Sequence, residues 1–374
     1  MSRRVAFIMA GGTGGHVFPA LATARVLRRR GFDIVWLGTQ RGIEARLVPA
    51  EGIPVEWLSV GGLRGKGVVT LLAAPFRLFR AILQAVGALR RHRPAVVLGA
   101  GGFASGPGGI AAWLLRRPLV VHEQNAIAGL TNRALARLAD RVLEGFPGSF
   151  GPRIRAERVG NPVRPEIAAI AAPEQRYAGR EGRARLLVFG GSQGSARLNA
   201  VVPAAIAELP GTLRPDVLHQ TGSAGLDETT AAYRSRGLDA DVRPFVDDMA
   251  GAYGWADLAV CRSGALTVAE LAAAGVPAIL VPFPAAVDDH QTRNAGYAVE
   301  AGAAVLMPEA TLTPLSLAAK LSSRRAARRR APSWKRGSSP SVRRAGRRPP
   351  IDEASSSSSA AAMRSSVKRS SRAG

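Results

Sequence analysis

Short apolar runs alternate with helix-length amphipathic segments from residue 5 to about residue 310. Residues 5–10, 34–37, 96–99, 119–122 and 141–143 read as buried strands, separated by helical stretches at 17–30, 71–91, 109–115 and 132–139. The pattern restarts with strands at 186–189, 217–221, 258–261 and 278–281 and helices at 197–208, 226–236 and 266–274. Between the halves stands Gly160-Asn161-Pro162-Val163-Arg164-Pro165, where two prolines oppose helix and predict an extended linker. Each half opens with a strand and a glycine-rich turn, at 11–15 and at 190–194. Repeated strand–helix alternation predicts parallel sheets covered on both faces. The expected fold is therefore α/β, with two Rossmann-like doubly wound domains, residues 1–160 and 161–320, facing across a cleft. Past Lys320 the arginine clusters and the serine run at 355–359 offer no apolar face, so 321–374 is expected to be a disordered Arg/Ser-rich tail.

Composition changes this picture only at its edges. The net charge of +24 is concentrated in the tail, where 15 Lys+Arg face two acids, leaving +11 for the first 320 residues. That excess attracts phosphate of any origin and does not choose among lipid, nucleotide and nucleic acid. Aromatic residues are 5% of the chain, too few to interleave with the basic residues as single-stranded nucleic-acid binders require, so a nucleic-acid role ranks low. One cysteine, Cys261, excludes a disulfide framework and fits a reducing compartment. No stretch approaches the ~18 apolar residues of a spanning helix, and the first strand opens onto glycines in a way that does not suit a signal peptide. A cytosolic chain, or one attached to a membrane from the cytosolic side, is expected.

Several motifs carry candidate chemistry. A glycine-rich turn between strand and helix lets backbone amides approach a phosphate, although a lone turn is more often only a tight connection. The first turn, Gly11-Gly12-Thr13-Gly14-Gly15-His16, lacks the third glycine of the dinucleotide fingerprint, and Leu37-Gly38-Thr39 stands where a ribose-binding acid would be. Gly61–Gly67 is one residue short of a P-loop. Neither a dehydrogenase nor an NTPase fits. Arg262-Ser263-Gly264-Ala265 leads from a strand into a helix, so the amides that follow suit a diphosphate. Glu270, one turn in, has two oxygens for a ribose diol, or is simply a favourable charge near a helix start. His16 opens the first long helix beside the turn, a position suited to a general base or to a histidine that ties the loop. His122-Glu123-Gln124-Asn125 closes a strand at the sheet edge where open α/β sheets bind ligands. Gln291 and Asn294, after Asp289-His290, suit sugar hydroxyls or helix capping. No spacing suggests a metal site or an acyl-transfer triad.

Taken together, GGTGGHVFPALA (11–22), GGLRGKG (61–67), HEQNAIAGLTNR (122–133), GNPVR (160–164), GGSQGS (190–195), PFVDDM (244–249), CRSGALTVAE (261–270) and DDHQTRNA (288–295) resemble the MurG family of peptidoglycan N-acetylglucosaminyltransferases. The resemblance runs in order from residue 1 to about 320. It implies a GT-B glycosyltransferase with an acceptor- and membrane-side first domain and a UDP-sugar-binding second domain. The implied reaction is inverting: N-acetylglucosamine passes from UDP-N-acetylglucosamine to the C4 hydroxyl of lipid I, giving lipid II, without a cofactor or metal. By motif, Thr13, Gly14 and Gly15 line the cleft beside the diphosphates, His16 is the candidate base and Asn125 contacts the donor sugar side. Arg164, Ser192 and the Val246 backbone hold the nucleotide. Ala265, Leu266, Thr267, Val268, Ala269 and Glu270 bind diphosphate and ribose, and Gln291 and Asn294 read sugar hydroxyls. The implied partners are donor, lipid acceptor and an anionic membrane surface, with no specific nucleic acid, on the cytoplasmic face of a bacterial inner membrane. Other GT-B enzymes, a glycolipid synthase or nucleotide-sugar epimerase, are the nearest alternatives. Two departures stand out. Ala285 occupies a position where many relatives carry histidine, and the Arg/Ser-rich segment replaces amphipathic helices with which relatives continue past Lys320, as a shifted reading frame would.

Overall fold

The computed structural model describes residues 4–59, 73–191, 193–286 and 289–327. The motif at 61–67, Ser192 and the segment 328–374 lie outside the described residues. Both sheets belong to one compact unit, Met1–Ser341.

The first sheet contains β1 (Arg4–Met9), β2 (Phe32–Gly38), β3 (Val55–Trp57), β4 (Val96–Gly99), β5 (Leu119–Glu123), β6 (Arg141–Glu144) and β7 (Glu157–Arg158). The second contains β8 (Arg185–Phe189), β9 (Asp216–Gln220), β10 (Asp241–Arg243), β11 (Leu258–Cys261), β12 (Ala278–Leu280) and β13 (Ala304–Leu306). Their orders are 3-2-1-4-5-6-7 and 10-9-8-11-12-13, parallel throughout, so each sheet reverses its winding beside its first strand. The runs are continuously apolar because alternate side chains enter opposite cores. Phe7, Met9, Val35 and Leu37 pack on one face of the first sheet, and Ala6, Ile8, Ile34 and Trp36 on the other. The second sheet divides Leu187, Phe189 and Cys261 from Leu186, Val188 and Val260 in the same way.

Helices cover both faces: α1 (Gly14–Arg29), α2 (Glu44–Ala50), α3 (Ala74–His92), α4 (Ser105–Leu114), α5 (Leu130–Leu135), α6 (Pro165–Ala168), α7 (Pro173–Tyr177), α8 (Ala196–Ala207), α9 (Leu226–Arg234), α10 (Met249–Trp255), α11 (Ala265–Ala274), α12 (His290–Glu300) and α13 (Pro314–Ala327).

Four elements depart from the sequence expectations. The linker is extended only to Arg164; Pro165 opens α6 at its first turn, where a missing N–H costs nothing. Helix α4 starts four residues earlier than its apolar pattern, within Ser-Gly-Pro-Gly-Gly. A Cβ on Gly108 would lie 2.3 Å from the Met9 sulfur, so this glycine permits close packing on β1. Helix α5 ends at Leu135, short of the expected Ala139. Helix α13 crosses the expected boundary at Lys320 and runs to Ala327, because Leu317, Ala318 and Leu321 form a stripe buried in the second domain's core.

Candidate functional site

The loops at the carboxyl ends of β1 and β4 meet at the point where the first sheet reverses, the crevice where open α/β sheets bind ligands. Thr13 takes the extended N-cap position of α1 but provides no side-chain cap, so the amides of Gly14 and Gly15 face outward unserved by it. The turn is held from behind by Glu44 of α2, a fully buried carboxylate. One of its oxygens accepts from the Gly12 amide at 2.9 Å; the other accepts from the Thr39 amide and hydroxyl at 3.2 and 2.7 Å. Thr39 thus serves the turn rather than a ribose. From β4, Gly102 (φ +85°) lies so close to the turn that a Cβ would stand 2.2 Å from the Gly11 carbonyl. Gly101 lies against the His16 imidazole, where a Cβ would come within 2.8 Å of the ring. His16 is half-buried, and its Nδ1 lies 3.0 Å from Oε1 of Gln124.

In the second domain the two candidate phosphate turns differ. Helix α8 is already capped: the Ser195 hydroxyl accepts from the Leu198 amide at 3.4 Å. Helix α11 has Gly264 at its N-cap and no side-chain cap, which leaves the amides of Ala265, Leu266 and Thr267 at an open, positive helix end. Helices α1 and α11 approach one another across the cleft. Val268 packs into the core while Glu270, also buried, reaches Arg164. Arg164 Nε and Nη2 donate to the two Glu270 oxygens at 2.9 and 3.1 Å, a bidentate pair. The Tyr253 hydroxyl donates to Glu270 at 3.3 Å. Burial and the Glu270 charge push that hydroxyl well above its usual pKa, which keeps it a donor. Two residues expected to touch the nucleotide therefore hold each other.

Other expected contacts are redistributed. Gln291 accepts through Oε1 from the Ser263 and Phe283 amides at 3.3 and 2.9 Å, which leaves its Nε2 end as the group able to serve a hydroxyl. Asn294 is 0% exposed. Its Oδ1 accepts from the Ala126 amide at 2.8 Å, and its Nδ2 donates to Asn125 Oδ1 and the Ser263 carbonyl, each at 3.2 Å. With both amide hydrogens committed, Asn294 ties Asn125 and Ala126 to Ser263. Asn125 is steadied from its other side by Glu123, which accepts from its amide and side chain at 3.0 and 3.1 Å. Val246 buries its side chain in the core cluster that holds Leu218 and Tyr253. Ala285 lies in an exposed loop. Cys261 is a core residue whose thiol burial pushes above its usual range. Among the described residues no group of three or more His, Cys, Asp or Glu gathers as a metal site.

The glycosyltransferase family 28 N-terminal domain matches residues 6–144, and the C-terminal domain of that family matches residues 185–340. The UDP-N-acetylglucosamine–N-acetylmuramyl-(pentapeptide) pyrophosphoryl-undecaprenol N-acetylglucosamine transferase of Nitrosococcus oceani is 59% identical over 314 residues, 84% of this chain and 88% of that protein. The chain belongs to the MurG family. The protein of the same name from Alkalilimnicola ehrlichii is 60% identical over 314 residues, 84% of this chain and 88% of its own length. The Acinetobacter baumannii MurG crystal structure superposes with a TM-score of 0.79 at 39% identity, covering 88% of this chain and 93% of that one. A kitacinnamycin glycosyltransferase, 19% identical with a TM-score of 0.64 over 90% of this chain and 95% of its own, shares the fold. Both halves are thus the Rossmann-like domains of a GT-B glycosyltransferase. Glu44, Gly101 and Gly102 had no motif to announce them, and Gln124 stood inside the 122–125 motif without a role of its own. Only the Gly101-Gly102 pair at a strand end, like the turn after β1, gave a usable signal.

Proposed function

We propose that the chain transfers N-acetylglucosamine from UDP-N-acetylglucosamine to the C4 hydroxyl of the N-acetylmuramyl unit of lipid I, inverting the anomeric centre and giving lipid II. The observation that carries this reading is the pair of uncapped helix ends, α1 in one domain and α11 in the other, with His16 beside the first. His16 takes the proton of the acceptor hydroxyl as its oxygen bonds to the anomeric carbon. The bond from that carbon to the diphosphate oxygen breaks, and its electron pair leaves with UDP toward the α11 amides of residues 265–267. Glu270 receives the ribose once Arg164 swings to the nucleotide phosphates, and Ser192 and the Val246 backbone complete the nucleotide pocket. Asn125 and Gln291 face the donor sugar, and Thr13, Gly14 and Gly15 lie beside the diphosphates. In this reading residues 1–160 serve the acceptor and residues 161–320 the donor. The relatives at 59–60% identity, named for the same donor and acceptor, support it. Product analysis tests it: epimerised nucleotide or glycosyl-diacylglycerol would point to another GT-B reaction.

A lipid acceptor calls for docking at a bilayer, and α3 supplies a surface for it. Ala81, Ala85, Ala88 and Leu89 bury one face of this helix. Phe76, Phe79 and Leu83, at i, i+3 and i+7, form an apolar ridge on the opposite face, with Phe76 73% exposed. Arg77 and Arg80 flank the ridge, and Trp113, Leu114 and Arg116 are exposed at the end of the neighbouring α4. No helix among the described residues is long and apolar enough to cross a membrane. We place the chain peripherally on the cytoplasmic face of the inner membrane, where each basic residue near anionic lipid adds about 1 kcal/mol. Cosedimentation with phosphatidylglycerol vesicles should fall at least tenfold in a Phe76→Ser/Phe79→Ser protein, because two large side chains lose roughly 1.5–3 kcal/mol of burial each. Undiminished binding by the double variant would remove α3 from the membrane.

A further inference from the structure

We propose that His122 and Gln124 are positioning residues that fix His16 in the tautomer protonated on Nδ1, so that its bare Nε2 is the atom offered to the acceptor hydroxyl. The proposal rests on His16 being the base. It follows from a hydrogen-bond chain whose direction is set by carbonyl groups, which can only accept.

The chain starts at the interdomain linker. His122 Nε2 lies 3.0 Å from the Gly160 carbonyl, so that nitrogen carries a proton. Burial holds the His122 imidazole below its usual pKa, so the ring is neutral and its Nδ1 is bare. Gln124 Nε2 lies 3.0 Å from that Nδ1 and 3.0 Å from the His122 carbonyl. Both neighbours accept, and an amide nitrogen has two hydrogens to give, so the NH2 end of Gln124 must be here. Its carbonyl end therefore faces the other way, 3.0 Å from His16 Nδ1. An amide oxygen cannot donate, so His16 Nδ1 must. A neutral imidazole has one ring proton, and Nε2 is left with its lone pair.

The surroundings keep this chain from turning over. Gln124 is fully buried, and its backbone carbonyl accepts from Asn161 Nδ2 at 2.9 Å. Asn132 Nδ2 donates to the His122 carbonyl at 3.2 Å. The His16 ring is confined by Gly101, where any side chain would meet it. The nearby carboxylates are engaged elsewhere: Glu123 accepts from Asn125, Gly129 and Asn132, and Glu44 from Gly12 and Thr39. An imidazole in water favours the proton on Nε2, which would present a donor to the acceptor hydroxyl. Gln124 reverses that preference.

The test uses the full chain labelled with 15N-histidine. The chain has five histidines, and loss of one resonance set in His16→Ala assigns position 16. The expected spectrum shows neutral His16 protonated on Nδ1, with Gln124→Leu moving the proton toward Nε2. The same variant should lower kcat about 10- to 100-fold, by analogy with loss of the outer partner of a metal-bound histidine, with the KM for UDP-N-acetylglucosamine unchanged. Gln124→Glu loses the two donations to His122 but keeps an acceptor against His16 and adds a charge, so it should retain more turnover than Gln124→Leu, which loses all three bonds. It should also shift the acid limb of the kcat/KM profile upward by about one pH unit or more. A purely structural role for position 124 would not move that limb. A wild-type His16 protonated on Nε2, a tautomer unchanged in Gln124→Leu, or an unmoved limb in Gln124→Glu overturns the proposal. If His16→Ala is inactive but Gln124→Leu turns over normally, the positioning role alone falls. If His16→Ala is fully active, the base reading falls and takes the positioning role with it.

Discussion

Replacing His16 by alanine should lower turnover with a lipid acceptor by roughly 10²–10⁴, the usual contribution of a positioned general base. UDP affinity should stay nearly constant. The split follows from where the residue stands. His16 belongs to the first turn of α1, with Nδ1 on Gln124 and its ring against Gly101. The open end of α11 and the Glu270 pair belong to the other domain. Removing the imidazole leaves the α1 backbone intact, since among the described residues its side chain hydrogen-bonds only Gln124. Single-turnover transfer and UDP calorimetry on one preparation separate the two effects. Near-full turnover in a folded His16→Ala protein would make the histidine a structural wedge and require another base.

A comparable effect, this time on binding, is expected at Glu270. The alanine variant should weaken UDP by about 1.5–3 kcal/mol, roughly 10- to 100-fold in Kd, as the ribose loses a charge-assisted acceptor. The ion pair with Arg164 sharpens this expectation. A carboxylate holding a bidentate arginine and a tyrosine hydroxyl has little capacity left for a diol, so on the proposed assignment nucleotide draws Arg164 away. Arg164→Met should then free Glu270 yet remove a phosphate partner, weakening UDP while leaving uridine affinity unchanged or improved. Glu270→Ala should weaken both. It should also lower the melting temperature, because the buried Tyr253 hydroxyl loses its partner. Undiminished UDP affinity in folded Glu270→Ala would remove the ribose role.

The long buried strands were legible because a parallel sheet covered on both faces leaves an unbroken apolar run, as in Phe7-Ile8-Met9 or Leu186-Leu187-Val188. The edge strands β7 and β10 were not, since Glu157-Arg158 and Asp241-Val242-Arg243 are too short and polar to show a period. Site positions followed the same logic. Turns beside strand ends announce themselves through glycine, so the open ends of α1 and α11 could be read from local sequence. What holds those turns could not. Glu44 meets Gly12 across 32 residues and Gln124 meets His16 across 108, contacts that exist only once β1, β2 and β5 are laid in their sheet. The partners of Asn294 are hidden for a related reason. An amide at a helix start looks the same in sequence whether it faces a sugar or, as here, a backbone amide 168 residues away.

The transfer itself can be followed by incubating the full chain with labelled UDP-N-acetylglucosamine and a short-chain lipid I, then analysing the lipid product. A β-1,4-linked, lipid-borne disaccharide carrying the label should form in step with UDP. Label that stays on the nucleotide or appears on diacylglycerol, with lipid I unchanged by a folded protein, would contradict it.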